Sequence, residues 1–357
     1  VLFELAPTTG AIVATVGALT ALLAAVIAIA QTDIKKVLAY STISQLGDMV
    51  LAVGVGAYSA GMFHLTTHAF FKALLFLGAG SVIHALASEQ DMWKMGGLRK
   101  AMPITFITMA AAWLAIVGIF PFSGFWSKDE ILYQTFDKGG AWLILWGIGV
   151  VAALLTAFYM TRLFVLTFIG KPRWDEGVEP HESPATMTIP LILLGVATLG
   201  IGAWNTPFRF SFEHFLEPSF EGVPHPAPID WTLFVVLASF ILVIAIIGLA
   251  WGWWRYTRDP LPVEDGSFWR NALAAFHVDA FYGKYIVAPG KAIASWFADF
   301  VDPKVIDGAA HGIGRGVREA GSGGSSLQTG QVRWYASGMA FAGVVLVVLF
   351  LLFGGGI

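Results

Sequence analysis

In the stretch Pro121-Phe-Ser-Gly-Phe-Trp-Ser-Lys-Asp-Glu130, three charged residues stand directly after a break in an apolar run. Proline removes a helical hydrogen bond, so the helix expected over the preceding residues breaks near Pro121-Phe-Ser-Gly124. Lys128, Asp129 and Glu130 then lie at or near membrane depth, where one charged side chain costs roughly 2.5–3.5 kcal/mol. Broken helices are tolerated there when they line a cavity, and they mark ion sites in transporters. The stretch therefore predicts an ion-translocating membrane protein.

The composition agrees with a membrane protein. Of the 357 residues, 57% are hydrophobic and 13% are charged, and the mean hydropathy is +0.72. Globular domains carry about 25% charged residues. The net charge of −3 and the lack of a basic patch with interleaved aromatic residues give no reason to expect a nucleic-acid partner. The chain has no cysteine, which excludes thiolate-bound iron–sulfur clusters and covalent haem attachment through C-x-x-C-H within it.

About eight hydrophobic segments are long enough to cross a bilayer, since one crossing needs roughly 20 residues. We therefore predict an all-α polytopic membrane protein with about eight transmembrane helices, one of them broken. The segments lie near residues 10–30, 35–56, 60–87, 103–136 (broken), 140–169, 186–204, 231–255 and 333–354. Alternate threading collects most loop lysines and arginines, from Lys35 to Arg258, on one side, which the positive-inside rule makes cytoplasmic.

The segment from about Asp279 to Glu319 is too polar to cross the bilayer and too aromatic for a plain linker. It predicts an interfacial lateral helix along the membrane–water boundary. Pro289 and Pro303 are expected to kink or interrupt it, and Gly321–Ser326 (GSGGSS) is expected to form a flexible hinge before the last span. The residues alone support an interfacial filler helix as well as a functional one.

His64, His68 and Lys72 follow one another at a spacing of four, which places them on one face of a helix. Histidine titrates near neutrality, so this ladder predicts a proton relay through intervening water. Two alternatives are hydrogen-bonded core histidines beside a lysine in a structural ion pair, and a metal site at H-x-x-x-H. A metal site needs further ligands nearby. Lys72 occupies the next position on that face, so the sequence does not favour a metal site.

Lys128 follows the helix break and is the main candidate for a proton-carrying residue, with Asp129 and Glu130 beside it. The alternative is a loop at the outer interface from which the lysine snorkels to water. Asp48 is a secondary candidate: it could pair with Lys72 or Lys128, or lie solvated near a span end. His84 and Arg162 fall near span ends and are predicted to be interfacial, with Arg162 snorkelling.

Four motifs together resemble the antiporter-like subunits of respiratory complex I, NADH:quinone oxidoreductase. Within that family they are most similar to the chain L group, called chain 5 in mitochondria. The resemblance covers nearly the whole chain. The motifs are Gln31-Thr-Asp-Ile-Lys-Lys-Val-Leu-Ala-Tyr-Ser-Thr-Ile-Ser-Gln-Leu-Gly47, His64-Leu-Thr-Thr-His-Ala-Phe-Phe-Lys72, Met95-Gly-Gly-Leu-Arg-Lys100 and Gly124-Phe-Trp-Ser-Lys-Asp-Glu-Ile131.

The resemblance implies a proton-translocating membrane-arm subunit without a cofactor or metal of its own; NADH, FMN, iron–sulfur clusters and quinone belong to other subunits. It maps the broken-helix lysine of the family onto Lys128, with Asp129 beside it, and the histidine–lysine relay onto His64, His68 and Lys72. It places Lys128 in the half-channel to the outer face. The sequence departs from the family at Asp48, where an aromatic residue is usual, and it lacks the first of two five-helix repeats.

The resemblance also implies a domain order and a location. Residues 1–170 would form the second antiporter-like repeat, 171–257 two further spans, 258–330 the lateral helix and linker, and 331–357 the last span. We expect the C-terminal part of a longer polypeptide in the bacterial inner membrane. Its lateral helix would lie on the cytoplasmic side along neighbouring antiporter-like subunits, in contact with lipid. The alternative family is the large subunit of multisubunit Na+/H+ antiporters.

Overall fold

The chain folds almost entirely into α-helices. A computed structural model describes residues 6–206, 209–220, 229–258 and 266–353. Close contacts divide the chain between His277 and Val278. The first unit contains α1 (Pro7–Ala30), α2 (Ile34–Val55), α3 (Tyr58–Ala85), α4 (Pro103–Val117), α5 (Ser123–Asp137), α6 (Trp142–Phe168), α7 (Ala185–Gly200), α8 (Ser211–Leu216), α9 (Trp231–Arg258) and α10 (Ser267–Leu273).

Seven helices in the described part of the chain are long and apolar enough to cross a membrane. Six are in the first unit: α1, α2, α3, α6, α9, and α7 with its 3₁₀ extension to Trp204. The seventh, α14 (Val332–Phe353), is in the second unit. The remaining predicted segment, the broken one at residues 103–136, forms the two shorter helices α4 and α5. The prediction of an all-α polytopic membrane protein with one broken helix is therefore confirmed.

The break between α4 and α5 falls where the sequence predicts it. Residues 118–122 separate the two helices and include Pro121. The first turn of α5 lies directly against the last turn of α4, because Gly124 has no side chain. A Cβ atom at Gly124 would collide with the carbonyl oxygen of Ala115. This contact fixes α5 against α4 and so positions the charged residues one turn further along.

The second unit differs from the expected lateral helix in two respects. Helix runs from Val278 to Ser325 as α11 (Val278–Tyr282), α12 (Ala288–Trp296) and α13 (Asp307–Ser325), joined by π-helical turns at Gly283–Val287 and Phe297–Ile306. The expected interruption at Pro289 and Pro303 is wrong, because the wider π turns beside or around each proline absorb the missing hydrogen bond and the bulk of the ring.

The expected hinge at Gly321–Ser326 is also largely wrong. Helix α13 continues to Ser325, and the non-helical connection to α14 comes after it. Serine hydroxyls bond carbonyl oxygens three residues back, as Ser322 does to Glu319 and Ser325 does to Ser322. The predicted domain boundaries stay a prediction.

Two strands too short to predict from the sequence follow α7. Asn205–Thr206 pairs antiparallel with Arg209–Phe210, with Asn205 opposite Phe210. A 3₁₀ turn, Ile201–Trp204, precedes the first strand, and α8 follows the second. These elements lie at the end of the helix bundle where α3 begins, because Phe212 of α8 packs on Phe63 with ring centroids 5.3 Å apart. We call this the Tyr58 end of the bundle.

Candidate functional site: a buried cluster of titratable residues

The ladder on α3 is buried along its length. His64, His68 and Lys72 are 1%, 5% and 5% exposed. The rings of His64 and His68 are 6.2 Å apart between centroids. The Lys72 Nζ donates a hydrogen bond of 3.1 Å to the carbonyl oxygen of Leu38 on α2. The spacing of four thus places all three side chains on a face that packs inside the bundle, as predicted.

The broken helix brings Lys128 to the same interior. Lys128 is 3% exposed and lies on α5, so the alternative of a snorkelling loop lysine is wrong. Its Nζ lies 3.5 Å from the Oδ2 of Asp48 on α2, and Asp48 is 2% exposed. Of the alternatives for Asp48, pairing with Lys128 is the one that the structure has. A buried ion pair is costly to desolvate, which makes it a candidate for function more than a source of stability.

Ser127 connects the α3 ladder to the Lys128 helix. Its hydroxyl lies 2.9 Å from the Nδ1 of His64 and 2.9 Å from the hydroxyl of Thr67. The other ring nitrogen of His64 lies 3.2 Å from the Oε1 of Gln45 on α2. The sequence analysis did not identify Ser127 or Gln45 as site residues. The sequence could have indicated Ser127, since this polar residue directly precedes Lys128.

Asp129 and Glu130 are both buried, at 3% and 8% exposed, and they have different surroundings. The Oε2 of Glu130 accepts a hydrogen bond of 3.4 Å from the side-chain amide of Asn205. The Oδ2 of Asp129 and the Nε2 of His68 are buried without a hydrogen-bond partner in the described part of the chain. Each such atom costs about 1–3 kcal/mol. The cluster therefore keeps polar groups at a cost in stability, as functional sites do.

Arg162 is not interfacial, and that expectation is wrong. It is 0% exposed. Its Nη1 donates a 2.6 Å hydrogen bond to the carbonyl oxygen of Gln31, and its guanidinium lies 5.1 Å and 5.5 Å from the rings of Trp93 and Tyr256. Segments distant in sequence fold over the end of α6, and aromatic faces attract the buried cation. His84 is exposed, as an interfacial residue would be.

The site thus brings together residues from α2, α3 and α5. Gln45 and Asp48 come from α2, His64, His68 and Lys72 from α3, and Ser127 to Glu130 from α5. Within the described ranges, no group of three or more His, Cys, Asp or Glu side chains is placed to hold a metal ion. The arrangement of amines, imidazoles and carboxylates is suited to moving protons between titratable groups.

Comparisons with known proteins agree with this geometry. Residues 1–156 match the family described as NADH:quinone oxidoreductase/Mrp antiporter, TM. NADH-quinone oxidoreductase subunit L of Mycobacterium tuberculosis is 41% identical over 361 residues, covering 98% of this chain and 56% of that protein. NAD(P)H-quinone oxidoreductase chain 5 of Synechocystis is 40% identical over 385 residues, covering 94% of this chain and 56% of that protein.

A solved structure with a related fold is the Mrp complex from Dietzia sp. DQ12-45-1b. It is 27% identical, with a TM-score of 0.58, and the match covers 81% of this chain and 31% of the matched chain. The chain spans only about 56% of the length of the two curated relatives named above. By its apolar helices and its matched region the chain is a multi-pass membrane protein; it is similar over residues 1–156 to the NADH:quinone oxidoreductase/Mrp antiporter family, and over nearly its whole length to part of the two relatives named above.

Proposed function

We propose that this chain is part of a proton-translocating membrane-arm subunit of NADH:quinone oxidoreductase. It does no electron transfer itself. NADH is oxidised by quinone at FMN and iron–sulfur clusters in other subunits, and that reaction supplies the energy. The single observation that supports this most is the buried ion pair between Lys128 on the broken helix and Asp48 on α2. The names of the relatives support the choice of complex.

The proposed relay runs through Lys72, His68 and His64 to Lys128 and Asp129, with Asp48 and Glu130 as secondary sites. The contact between His64 and Ser127 supports a passage from α3 to α5. Moving one charge against about 100 mV costs about 2.3 kcal/mol. Two unit charges about 4 Å apart interact by about 4 kcal/mol at an effective dielectric constant of about 20. The free energy of forming or breaking an ion pair such as that of Lys128 and Asp48 is therefore large enough to drive one translocation step.

The surroundings of the chain follow from the same proposal. Its partners are other membrane-arm subunits, and helix 278–325 lies on the cytoplasmic side of the bacterial inner membrane along neighbouring antiporter-like subunits. The exposed aromatic residues of that helix, among them Tyr285, Trp296 and Phe300, support contact with lipid or protein. The titratable cluster then lies between the cytoplasmic face and the outer face at the Tyr58 end.

The test is NADH-driven proton uptake into inverted membrane vesicles that carry Lys128→Ala in the full-length subunit. Less complex should assemble, because Asp48 is left buried without its partner, and the complex that does assemble should oxidise NADH without pumping. Lys138→Ala is the matched control, because Lys138 is exposed and lies over the ring of Trp142. Pumping by Lys128→Ala at the parent's ratio of protons to NADH would rule out Lys128 as a carrier.

The second candidate is the large subunit of a multisubunit Na+/H+ antiporter, which the likeness to the Dietzia Mrp complex favours. An antiporter needs no electron donor. Vesicles given a sodium gradient without NADH distinguish the two, because only the antiporter would exchange Na+ for protons through Lys128.

A further inference from the structure

The segment after α7, residues 201–206 and 209–216, covers one end of the titratable cluster; we call it the 201–216 segment. Its 3₁₀ turn lies directly on the first turn of α5. A Cβ atom at Gly202 would lie 2.7 Å from the Cα of Ser123 and 3.0 Å from the Cδ1 of Trp126. Real Cβ atoms essentially never approach other atoms more closely than 3.0 Å. The segment is therefore held against the helix that carries Lys128.

The same segment also lies against α3. Phe212 is buried and its ring is 5.3 Å from that of Phe63, the residue directly before His64. Trp204 packs edge-on against Phe212 with ring centroids 5.4 Å apart. The 201–216 segment thus touches both helices that carry the proposed relay, and it does so at the Tyr58 end.

Asn205 is the polar contact between this segment and the cluster. It is 4% exposed. Its Nδ2 donates to the Oε2 of Glu130, and its Oδ1 accepts from the backbone N–H of Glu213, each at 3.4 Å. A carboxamide does not titrate, so Asn205 can orient a carboxylate and cannot carry a proton itself.

Glu130 lies at the wall of a cavity. A space of about 20 Å³ is lined by Glu130, Asn205, Thr206, Trp126 and Trp231, among others. That volume suffices for one water molecule, which needs about 10–15 Å³. A second cavity of about 720 Å³ shares Trp126, Thr206 and Trp231 in its lining. Of the three adjacent charged residues Lys128, Asp129 and Glu130, Glu130 is the one that lines the smaller of these two cavities.

We propose that Asn205 is a positioning residue that holds Glu130 against this cavity, so that Glu130 exchanges protons between Lys128 and water at the Tyr58 end. Lys128 and Glu130 are two positions apart on α5 and do not face each other, so water carries the proton between them. An N–H bond of the Lys128 ammonium breaks as an O–H bond forms on water, and an O–H bond of that water breaks as one forms on the Glu130 carboxylate. Deprotonation by cavity water then returns Glu130 to its starting state. This inference rests on the proposed function and assigns its release step.

The experiment compares Glu130→Gln, Asn205→Ala and Asn271→Ala in the full-length subunit within its complex. Glu130→Gln keeps an oxygen that can accept from Asn205, so the fold is preserved. Asn271→Ala makes the same change as Asn205→Ala at an exposed position outside the site. Pumping at matched NADH oxidation should fall on the order of 10- to 100-fold in Asn205→Ala, the range for one hydrogen bond to a charged group. It should fall at least as far in Glu130→Gln, and stay at the parent's level in Asn271→Ala.

Infrared difference spectra upon reduction by NADH provide a readout that a packing role would not change. A carboxyl band should vanish in Glu130→Gln, shift in Asn205→Ala and stay in place in Asn271→Ala. Asn205→Ser serves if Asn205→Ala does not assemble, with the same expectation. Parent-level pumping in Asn205→Ala or Glu130→Gln, or a spectrum without that band, overturns the inference. The proposed function survives that result if Lys128→Ala still abolishes pumping.

Discussion

Lys72 and Lys128 are buried to similar extents in one helix bundle, yet their partners differ. Lys128 lies 3.5 Å from the Asp48 carboxylate, whereas Lys72 donates to the uncharged carbonyl of Leu38. In the part of the chain that the structure describes, no carboxylate lies within ion-pair distance of Lys72. The two lysines therefore have different electrostatic environments. Lys128 lies beside a counter-charge, and Lys72 lies beside the dipole of a carbonyl group.

The largest effect should come from Lys72→Met, which removes the titratable group and leaves no carboxylate without its partner. Pumping should fall by at least about 100-fold, since a positioned proton-transfer group contributes about 10²- to 10⁴-fold. The amount of assembled complex should stay at the parent's level. Lys36→Met, at an exposed position on α2, is the control. Poor assembly of Lys72→Met would contradict the interpretation that Lys128, and not Lys72, is held in a buried ion pair.

Asp48→Asn should impair assembly of the complex, which Lys72→Met should leave unchanged. Removing one partner of a buried ion pair typically costs about 3–5 kcal/mol, because a charge is left uncompensated. We expect less assembled complex and a lower unfolding temperature, measured by native electrophoresis after heating. The double variant Asp48→Leu/Lys128→Met should restore assembly without restoring pumping. If Asp48→Asn assembles and pumps like the parent, the pair has no role in either.

Ser127→Ala probes the connection between the two lysines. It removes contacts to His64 and Thr67, each worth about 0.5–1.5 kcal/mol. Thermal stability should fall by about 1–3 kcal/mol in total, and pumping should fall with NADH oxidation maintained. Thr66→Ala is the matched control, because the hydroxyl of Thr66 bonds the Met62 carbonyl of its own helix. Equal pumping in both variants would mean that protons do not pass from α3 to α5 at this point.

The smallest effect concerns an exposed ion pair, Lys94 with Glu89 at 3.0 Å, which contrasts with the buried one. Hydrogen bonds from the backbone N–H of Asp91 and from Lys94 hold the pKa of Glu89 below its ordinary value of 4.5. A lowered carboxyl pKa stabilises the fold above that ordinary value, and the contribution is lost as pH falls through the folded pKa.

Glu89→Gln should therefore speed hydrogen exchange at the amides of Gln90 and Asp91 near pH 7, and the difference from the parent should fade as the pH falls below the ordinary pKa of 4.5 and through the lowered pKa of Glu89. Pumping should be unchanged. A variant with unaltered exchange at pH 7 would show that these bonds are too weak to order the loop.

Local patterns were enough to predict much of this chain. Apolar runs of about 20 residues predicted the spans, Pro121 and Gly124 predicted the break, and the spacing of four placed His64, His68 and Lys72 on one face. In the second unit, proline did not predict where the helix would be interrupted. Pro289 and Pro303 are accommodated by π-helical turns, and single-residue rules do not say whether a helix will widen or stop.

The site's remaining partners could not be predicted, because they meet only in three dimensions. Arg162 is buried by Gln31, Trp93 and Tyr256, which are far from it in sequence. Asn205 reaches Glu130 across 75 positions. A sequence shows that a polar residue is present, and it does not show which carbonyl, ring or carboxylate will lie beside it.

The sequence by itself determined that the chain is helical and spans a membrane, that one helix breaks, and which titratable residues share a face, because hydropathy, helical periodicity and proline chemistry act over short stretches. Only the tertiary structure decided that Asp48 pairs with Lys128 rather than with Lys72, that Ser127 joins the two helices, and that Asn205 holds Glu130. Those choices depend on how α2, α3 and α5 pack. The packing places a counter-charge beside one buried lysine and only a carbonyl beside the other.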